Sequence, residues 1–206
     1  MAGDGVNLWL QKQLKPLAKN LDKVPPEIFS WGSLFLSGAV GGLLYFAQAQ
    51  YWPAFALPAL ILLIFRLLCD SLEDASAEAQ SAESSGRNRL LIGLLSRLSD
   101  LSMLLGFAFW DSLRIHLVLL AIVSMLLVSY VGELAKAQGA SDCKSGLLCR
   151  SNRVILLIFF CLVYLLKPNS RIADYSVFEV MFALFIPMAS ITLLQRMDSA
   201  IRVKKD

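Results

Sequence analysis

The chain has 206 residues, of which 57% are apolar and 17% are charged, and its mean hydropathy is +0.62. Soluble domains contain roughly 45–50% apolar and about 25% charged residues, and the net charge of +3 is too small to indicate nucleic-acid binding. The apolar surplus lies in stretches of about twenty residues, the length that a helix needs to cross a bilayer core of roughly 30 Å. This excludes a soluble globular domain, a disordered chain and a secreted disulfide scaffold.

The first helical pattern covers residues 6–23. Six leucine and valine side chains share this segment with four lysines, as in an amphipathic helix, and Pro25 and Pro26 end the pattern. We therefore predict an amphipathic interfacial helix at the cytoplasmic face within residues 1–29, followed by a membrane domain over residues 30–206.

Six apolar stretches follow, and we predict a membrane-spanning helix for each. The fifth stretch is short and needs flanking residues to reach across a bilayer. The predicted fold is an all-α integral membrane bundle of six transmembrane helices with an N-terminal amphipathic interfacial helix. The predicted spans are 30–50, 52–72, 90–110, 113–134, 153–166 and 174–196.

The basic residues predict the topology. In a six-span arrangement, 15 of the 19 Lys and Arg residues lie on the side that holds both termini, whereas only Arg114, Lys167 and Arg171 lie on the opposite side. Lys and Arg accumulate in cytoplasmic loops. We therefore expect both termini to be cytoplasmic.

Ionisable residues near one end of the second span form the most informative pattern. Asp70, Glu73 and Asp74 stand at i, i+3 and i+4 on one helix face, and Arg66 precedes them by one turn. Three neighbouring carboxylates repel one another unless a positive charge lies among them. One arginine meets this need in part, and a divalent cation such as Mg²⁺, Mn²⁺ or Ca²⁺ meets it better. A solvated helix end or an ion-pair cluster is the alternative interpretation.

The third span carries Ser96, Arg97 and Asp100 in an otherwise apolar stretch. Ser96 and Asp100 are one helical turn apart and face the same way. Because the second and third spans can be neighbours, Asp100 can approach the acidic face of the second span. Carboxylates from two helices around a pair of metal ions, with one free carboxylate as a base, suit phosphoryl-group chemistry.

These blocks resemble the CDP-alcohol phosphatidyltransferase family of integral membrane enzymes. The family signature is Asp-x2-Asp-Gly-x2-Ala-Arg, followed later by Gly-x3-Asp-x3-Asp. The blocks RLLCD and SRLSD resemble those of one bacterial branch, and SYVGELAKAQGASDCKSGLLCRSNRVILL resembles the segment that leads into the fifth helix, so the resemblance covers nearly the whole chain. The residues at the matching signature positions are Asp70, Glu73, Asp74, Ala77, Glu78, Ser96 and Asp100.

The resemblance implies the transfer of a phosphatidyl group from CDP-diacylglycerol to an alcohol, free or phosphorylated, with release of CMP. It implies that Asp70 and Glu73, with Asp74 as a substitute ligand, hold Mg²⁺ or Mn²⁺ at two sites. It implies that Asp100 is the general base. It also implies a homodimer in the membrane lipid of a bacterial inner membrane.

The resemblance assigns further residues to substrate binding. Ala77 matches the signature alanine and would belong to the nucleotide site. Arg150 and Arg153 match a basic pair near the start of the fifth helix, which holds the acceptor phosphate in members that use a phosphorylated acceptor. The alternative interpretation is that these two arginines anchor the helix at the membrane surface.

Five signature positions differ from the family pattern, and at one of them, the second glycine, this chain has Ile92, or Gly93 if the alignment shifts by one residue. Glu73 replaces an aspartate, Asp74 replaces a glycine, Glu78 replaces an arginine, and Ser96 replaces the third aspartate, which leaves the second metal site in question. These changes favour a second hypothesis, a catalytically impaired relative that binds lipid or nucleotide or acts as a scaffold. A transporter is a third interpretation, but the acidic cluster lies near one surface rather than in mid-membrane.

Overall fold

A computed structural model places residues 24–47, 52–79, 86–137, 147–167, 171–172 and 174–203, and the structure is described for these residues. They form six helices and a two-stranded antiparallel hairpin. The predicted N-terminal interfacial helix lies outside the described residues. The elements are α1 (Pro26–Ala47), α2 (Trp52–Ala79), α3 (Gly86–Ala108), α4 (Ile115–Ala137), α5 (Arg150–Leu166), β1 (Arg171–Ile172), β2 (Tyr175–Ser176) and α6 (Val177–Val203).

Five of these helices, α1 to α4 and α6, contain apolar stretches of 19 to 23 residues that are long enough to cross a membrane. Helix α5 has 17 residues, fewer than the roughly twenty that a span needs. Large apolar side chains such as Phe35, Leu90 and Leu166 are 72 to 80% exposed, as expected for surfaces that face lipid. The structure confirms an all-α membrane protein, and the sixth span stays a prediction.

Most of the helices extend beyond the predicted spans. Helix α2 continues to Ala79 and α3 begins at Gly86, whereas the apolar pattern suggested limits at residues 72 and 90. Apolar periodicity marks only the part of a helix that contacts lipid, and polar turns can continue it. As a result, Asp70, Glu73 and Asp74 all lie inside α2, on a helix as their spacing indicated.

The described residues up to Phe109 form one compact unit, in which α1 packs against both α2 and α3. Two glycines allow α1 and α3 to touch through their backbones. A Cβ atom on Gly41 would overlap the carbonyl oxygen of Ser102, and one on Gly106 would overlap the carbonyl oxygen of Gly41. This close approach lets short side chains on α1 reach α3.

The described residues from Trp110 onward form a second compact unit, in which α6 packs against α4 and α5. The rings of Trp110, Tyr164 and Phe178 lie with their centroids 5.0 to 6.1 Å apart. Such aromatic contacts add to the stabilisation that their burial provides. The core of this unit is apolar, and its fully buried side chains include Leu148, Leu157, Met181, Phe182 and Phe185.

A reciprocal capping arrangement fixes the start of α6. The backbone N–H of Glu179 donates to Ser176 Oγ at 3.2 Å, and the carboxylate of Glu179 accepts from the backbone N–H of Ser176 at 2.9 Å. The same carboxylate accepts from the backbone N–H of Arg114 at 3.1 Å. These bonds satisfy donors that a helix start leaves unpaired, and they tie the hairpin to the segment before α4.

Candidate functional site

Three buried carboxylates come from two helices of the first unit. Asp70 and Glu73 lie one turn apart on α2, and Asp100 lies on α3; their exposed fractions are 1, 4 and 5%. A buried carboxylate is costly unless hydrogen-bond donors or a positive charge compensate it. The surrounding side chains therefore define the chemistry of this site.

The guanidinium of Arg66 lies between two of these carboxylates. Arg66 is fully buried, and its Nη2 lies 2.5 Å from Asp100 Oδ1 and 3.9 Å from Asp70 Oδ2. Its Nε donates to Ser99 Oγ at 3.3 Å, and its Nη1 donates to Met103 Sδ at 3.1 Å. One nitrogen thus contacts carboxylates from both α2 and α3.

Serine hydroxyls from α1 complete the environment of the α2 carboxylates. Ser30, Ser33 and Ser37 stand at i, i+3 and i+7 on one face of α1, and all three are fully buried. Ser30 Oγ donates to Glu73 Oε2 and Ser33 Oγ donates to Asp70 Oδ1, both at 2.7 Å. Hydroxyl donors stabilise the ionised form of a buried carboxylate.

Ser99 connects the three helices. Its hydroxyl lies 2.6 Å from Ser37 Oγ and 3.3 Å from Ser33 Oγ, and it also lies 3.1 Å from the carbonyl oxygen of Ser33. On the other side it faces Arg66 Nε. The carboxylates, Arg66 and the four serines form a buried polar cluster, to which α1, α2 and α3 all contribute.

The structure brings Asp70 and Asp100 to the same nitrogen of Arg66, and the predicted role of Asp100 as general base stays a prediction. Asp74 follows Glu73 on α2 but is only partly buried. Ala77 lies in the last turn of α2, and Ser96 is partly buried on α3. The predicted nucleotide role of Ala77 and ligand role of Asp74 stay predictions.

The predicted phosphate ligands belong to the second unit. Arg150 and Arg153 lie in the first turn of α5; Arg150 is partly buried and Arg153 is buried. A third arginine, Arg196 on α6, is also buried, and its Nη1 donates to the carbonyl oxygen of Val128 at 2.7 Å. A Cβ atom on Gly132 would overlap this guanidinium. The assignment of Arg150 and Arg153 to the acceptor phosphate stays a prediction.

The described residues do not fit a divalent metal in this arrangement. Among them, no group of three or more His, Cys, Asp or Glu side chains could hold a metal ion. Asp70 and Asp100 approach each other, but an ion bound to both would lie about 2.0–2.2 Å from their oxygens. Arg66 Nη2 already lies 2.5 Å from Asp100 Oδ1, so the ion and the guanidinium would compete for the same space. Metal binding by Asp70 and Glu73 stays a prediction.

The sequence interpretation missed the serines of α1. Ser30, Ser33 and Ser37 lie in an apolar span, at a spacing that puts them on one helix face. Because hydroxyls in a membrane helix can bond their own backbone, their presence alone does not indicate a site. Their common face, read together with the acidic face of α2, is the signal that could have located this cluster.

Comparison with known proteins shows similarity in structure. No family model matches the chain, and no curated protein matches its sequence. A phosphatidylinositol phosphate synthase of Mycobacterium tuberculosis with CDP-DAG bound matches with a TM-score of 0.63 and 20% identity, over 90% of this chain and 92% of that one.

Two further structures of that synthase match as well. The complex with manganese and citrate has a TM-score of 0.63 and 20% identity, over 90% of this chain and 88% of that one. The apo form has a TM-score of 0.61 and 21% identity, over 89% and 94%. The synthase is a CDP-alcohol phosphatidyltransferase. The chain therefore shares the fold of the CDP-alcohol phosphatidyltransferases, as the motif resemblance implied.

Proposed function

We propose that this protein binds CDP-diacylglycerol in the membrane and does not transfer its phosphatidyl group. The fold likeness to a synthase with CDP-DAG bound, over 90% of the chain, supports the choice of ligand. The proposed lack of transfer rests on one observation, the contact between Arg66 Nη2 and Asp100 Oδ1 at 2.5 Å. Transfer needs a carboxylate oxygen to accept the proton of the attacking hydroxyl, and this oxygen of Asp100 is engaged by a buried guanidinium.

The changed signature positions support the same conclusion. Ser96 stands where the family has an aspartate, so one anionic metal ligand is missing. Asp74 adds a charged side chain where the family has a glycine. Glu78 places a negative charge where the family has an arginine. The loss of an anionic ligand at position 96 weakens the metal-dependent transfer step, whereas binding of CDP-diacylglycerol does not itself require a general base.

The second candidate is phosphatidyl transfer itself. The burial of Asp70, Glu73 and Asp100 in one cluster favours it, because Asp70 and Asp100 are retained signature aspartates and Glu73 keeps a carboxylate at a third position. In this reaction the hydroxyl oxygen of the alcohol bonds to the phosphorus that carries diacylglycerol, and the bond from that phosphorus to CMP breaks. Asp100 would accept the hydroxyl proton, while Arg150 and Arg153 would hold a phosphate on the acceptor.

One pair of assays on the purified full chain tests both candidates. Binding of radiolabelled CDP-diacylglycerol is measured in lipid nanodiscs, with unlabelled CDP-diacylglycerol and diacylglycerol as competitors. Release of CMP is followed with Mg²⁺ or Mn²⁺ and a panel of free and phosphorylated alcohols. We expect saturable binding that CDP-diacylglycerol displaces and diacylglycerol does not, and CMP release no greater than that of an Asp100→Asn variant.

Other results would contradict the proposal in separate ways. CMP release well above the Asp100→Asn control would establish the transferase and overturn the proposal of binding without transfer. Absence of displaceable binding in a folded wild-type chain would overturn the proposed ligand.

We also propose the organisation that the charge pattern predicts. Residues 30–206 would form a six-span domain in a bacterial inner membrane, as a homodimer, with residues 1–29 on the cytoplasmic face. The excess of 15 basic residues over three supports cytoplasmic termini. The length of α5, 17 residues, makes it the span that most needs testing, and cysteine accessibility at either end of α5 would do so.

A further inference from the structure

We propose that Arg66 takes the place of a divalent cation in this chain and that its removal opens a divalent-cation site between Asp70 and Asp100. The resident guanidinium would make the site independent of metal. This inference deepens the proposed binding without transfer, on which its biological meaning rests. The evidence consists of the position, the burial and the partners of one side chain.

Arg66 lies between the two carboxylates that a bridging ion would bind, and closer to Asp100 than to Asp70. Its Nη2 lies 2.5 Å from Asp100 Oδ1 on α3 and 3.9 Å from Asp70 Oδ2 on α2. A divalent cation that joined these helices would use the same pair of carboxylates. A nitrogen of the singly charged guanidinium therefore lies where a metal ion would have to bind.

The packing around Arg66 holds the guanidinium in this position. Its side chain is fully buried, Nε faces Ser99 Oγ at 3.3 Å, and Nη1 faces Met103 Sδ at 3.1 Å. Each guanidinium nitrogen thus has a partner inside the unit. Displacement by an incoming ion would leave a buried positive charge beside a divalent cation, which is unfavourable.

Removal of the guanidinium would leave oxygen donors around the space that it occupied. The carboxylates of Asp70 and Asp100 would face each other without the cation between them, and Ser99 and Ser33 would supply hydroxyl oxygens nearby. Like charges at short range favour the uptake of a cation. Hard oxygen donors select Mg²⁺, Mn²⁺ or Ca²⁺ rather than a softer metal.

The test is a Mn²⁺ titration of the purified full chain in detergent, with free Mn²⁺ measured by its electron paramagnetic resonance signal. We expect the wild type to take up no Mn²⁺ beyond that of an Arg97→Ala control. We expect Arg66→Ala to bind about one Mn²⁺ per chain, at least tenfold more tightly than the wild type. In Arg66→Ala/Asp100→Asn, where one carboxylate is missing, the gain should be lost.

Two results would overturn the inference. The first is Mn²⁺ binding by the wild type as tight as that of Arg66→Ala. The second is a folded Arg66→Ala chain that gains no binding. If Arg66→Ala does not fold, Arg66→Gln replaces it. If neither variant folds, the wild type alone decides, because a rise in its melting temperature with Mn²⁺ would contradict a metal-independent site. Binding of CDP-diacylglycerol is measured separately, so failure of the proposed ligand is distinguishable.

Discussion

The two units of the molecule compensate their buried charges in different ways. In the first unit, a guanidinium on α2 contacts the carboxylates of Asp70 and Asp100, so charge is opposed by charge. In the second unit, Arg196 donates to the carbonyl oxygen of Val128, and Glu179 accepts from two backbone N–H groups, with the exposed Arg114 guanidinium farther away at 3.7 Å. In the second unit these bonds join a charged side chain to the main chain.

This difference predicts different consequences of substitution. A backbone carbonyl inside a helix keeps its own helical hydrogen bond when a side-chain donor is removed. A buried carboxylate that loses its guanidinium keeps its negative charge and loses the positive charge that compensated it. The first unit is therefore the more sensitive to loss of one charged partner, and its polar cluster specifies how α1, α2 and α3 meet.

The largest effect is expected from Arg66→Met, which fills the space without the charge. Breaking a buried ion pair by removing one partner costs about 3–5 kcal/mol. We expect a loss of this size in the free energy of unfolding, measured by titrating the protein in detergent micelles with sodium dodecyl sulfate and following helix content by circular dichroism.

Two variants test whether this loss reflects charge. Arg66→Met/Asp100→Asn should be more stable than the sum of the single losses, because contacting residues are not additive and couple by about 0.5–3 kcal/mol. Arg196→Met in the second unit removes a hydrogen bond from a charged group, worth about 1.5–3 kcal/mol. An equal loss for Arg66→Met and Arg196→Met would contradict the distinction between the two units.

The second effect concerns the close approach that lets the serines reach α3. In Gly41→Ala, the new Cβ would overlap the backbone carbonyl of Ser102, which cannot move aside as a side chain can. We expect a loss of about 1–3 kcal/mol, as for other overpacked sites. The same unfolding titration measures this loss. Separation of α1 from α3 should also weaken the hydrogen bond between Ser37 Oγ and Ser99 Oγ.

Gly38 on the same helix is the matched control. No atom lies within 4 Å of a Cβ placed there, and alanine is favoured over glycine inside a helix by about 0.5–1 kcal/mol. Gly38→Ala should therefore leave stability unchanged or raise it slightly. If Gly38→Ala and Gly41→Ala are equally destabilised, helix contact is not the reason for the glycine at position 41.

The helices were largely predictable from the sequence. A membrane helix forms all its backbone hydrogen bonds within itself, and its long apolar stretch is visible in the sequence. The spacing of Asp70, Glu73 and Asp74 placed them on one face, and Asp100 was expected to approach that face. The sequence did not specify what compensates the carboxylates, because either Arg66 or a divalent cation could supply the positive charge between them. Distances, not spacing, favour the arginine.

The remaining features depend on contacts that no local pattern specifies. The serines of α1 matter because Gly41 lets α3 come close, and that contact joins residues about sixty positions apart. The hairpin before α6 has strands of only two residues, too short for an alternating pattern. Asp174 in its turn has a positive φ of 67°, which aspartate tolerates better than most residues.

The smallest effect is expected from Gly132→Ala, the counterpart of Gly41→Ala in the second unit. Its Cβ would meet the end of the Arg196 side chain rather than backbone, and a long side chain can shift at modest cost. We expect a loss of about 1 kcal/mol, because the shifted Arg196 side chain would keep part of its hydrogen bond to Val128, which is worth about 1.5–3 kcal/mol in full. In Gly132→Ala/Arg196→Met the added cost of alanine should vanish, because the overlapping group is gone. If Gly132→Ala lowers the free energy of unfolding by the same amount with Met at position 196 as with Arg, then Gly132 is needed for backbone packing. Its role would then be the same as that of Gly41 in the first unit.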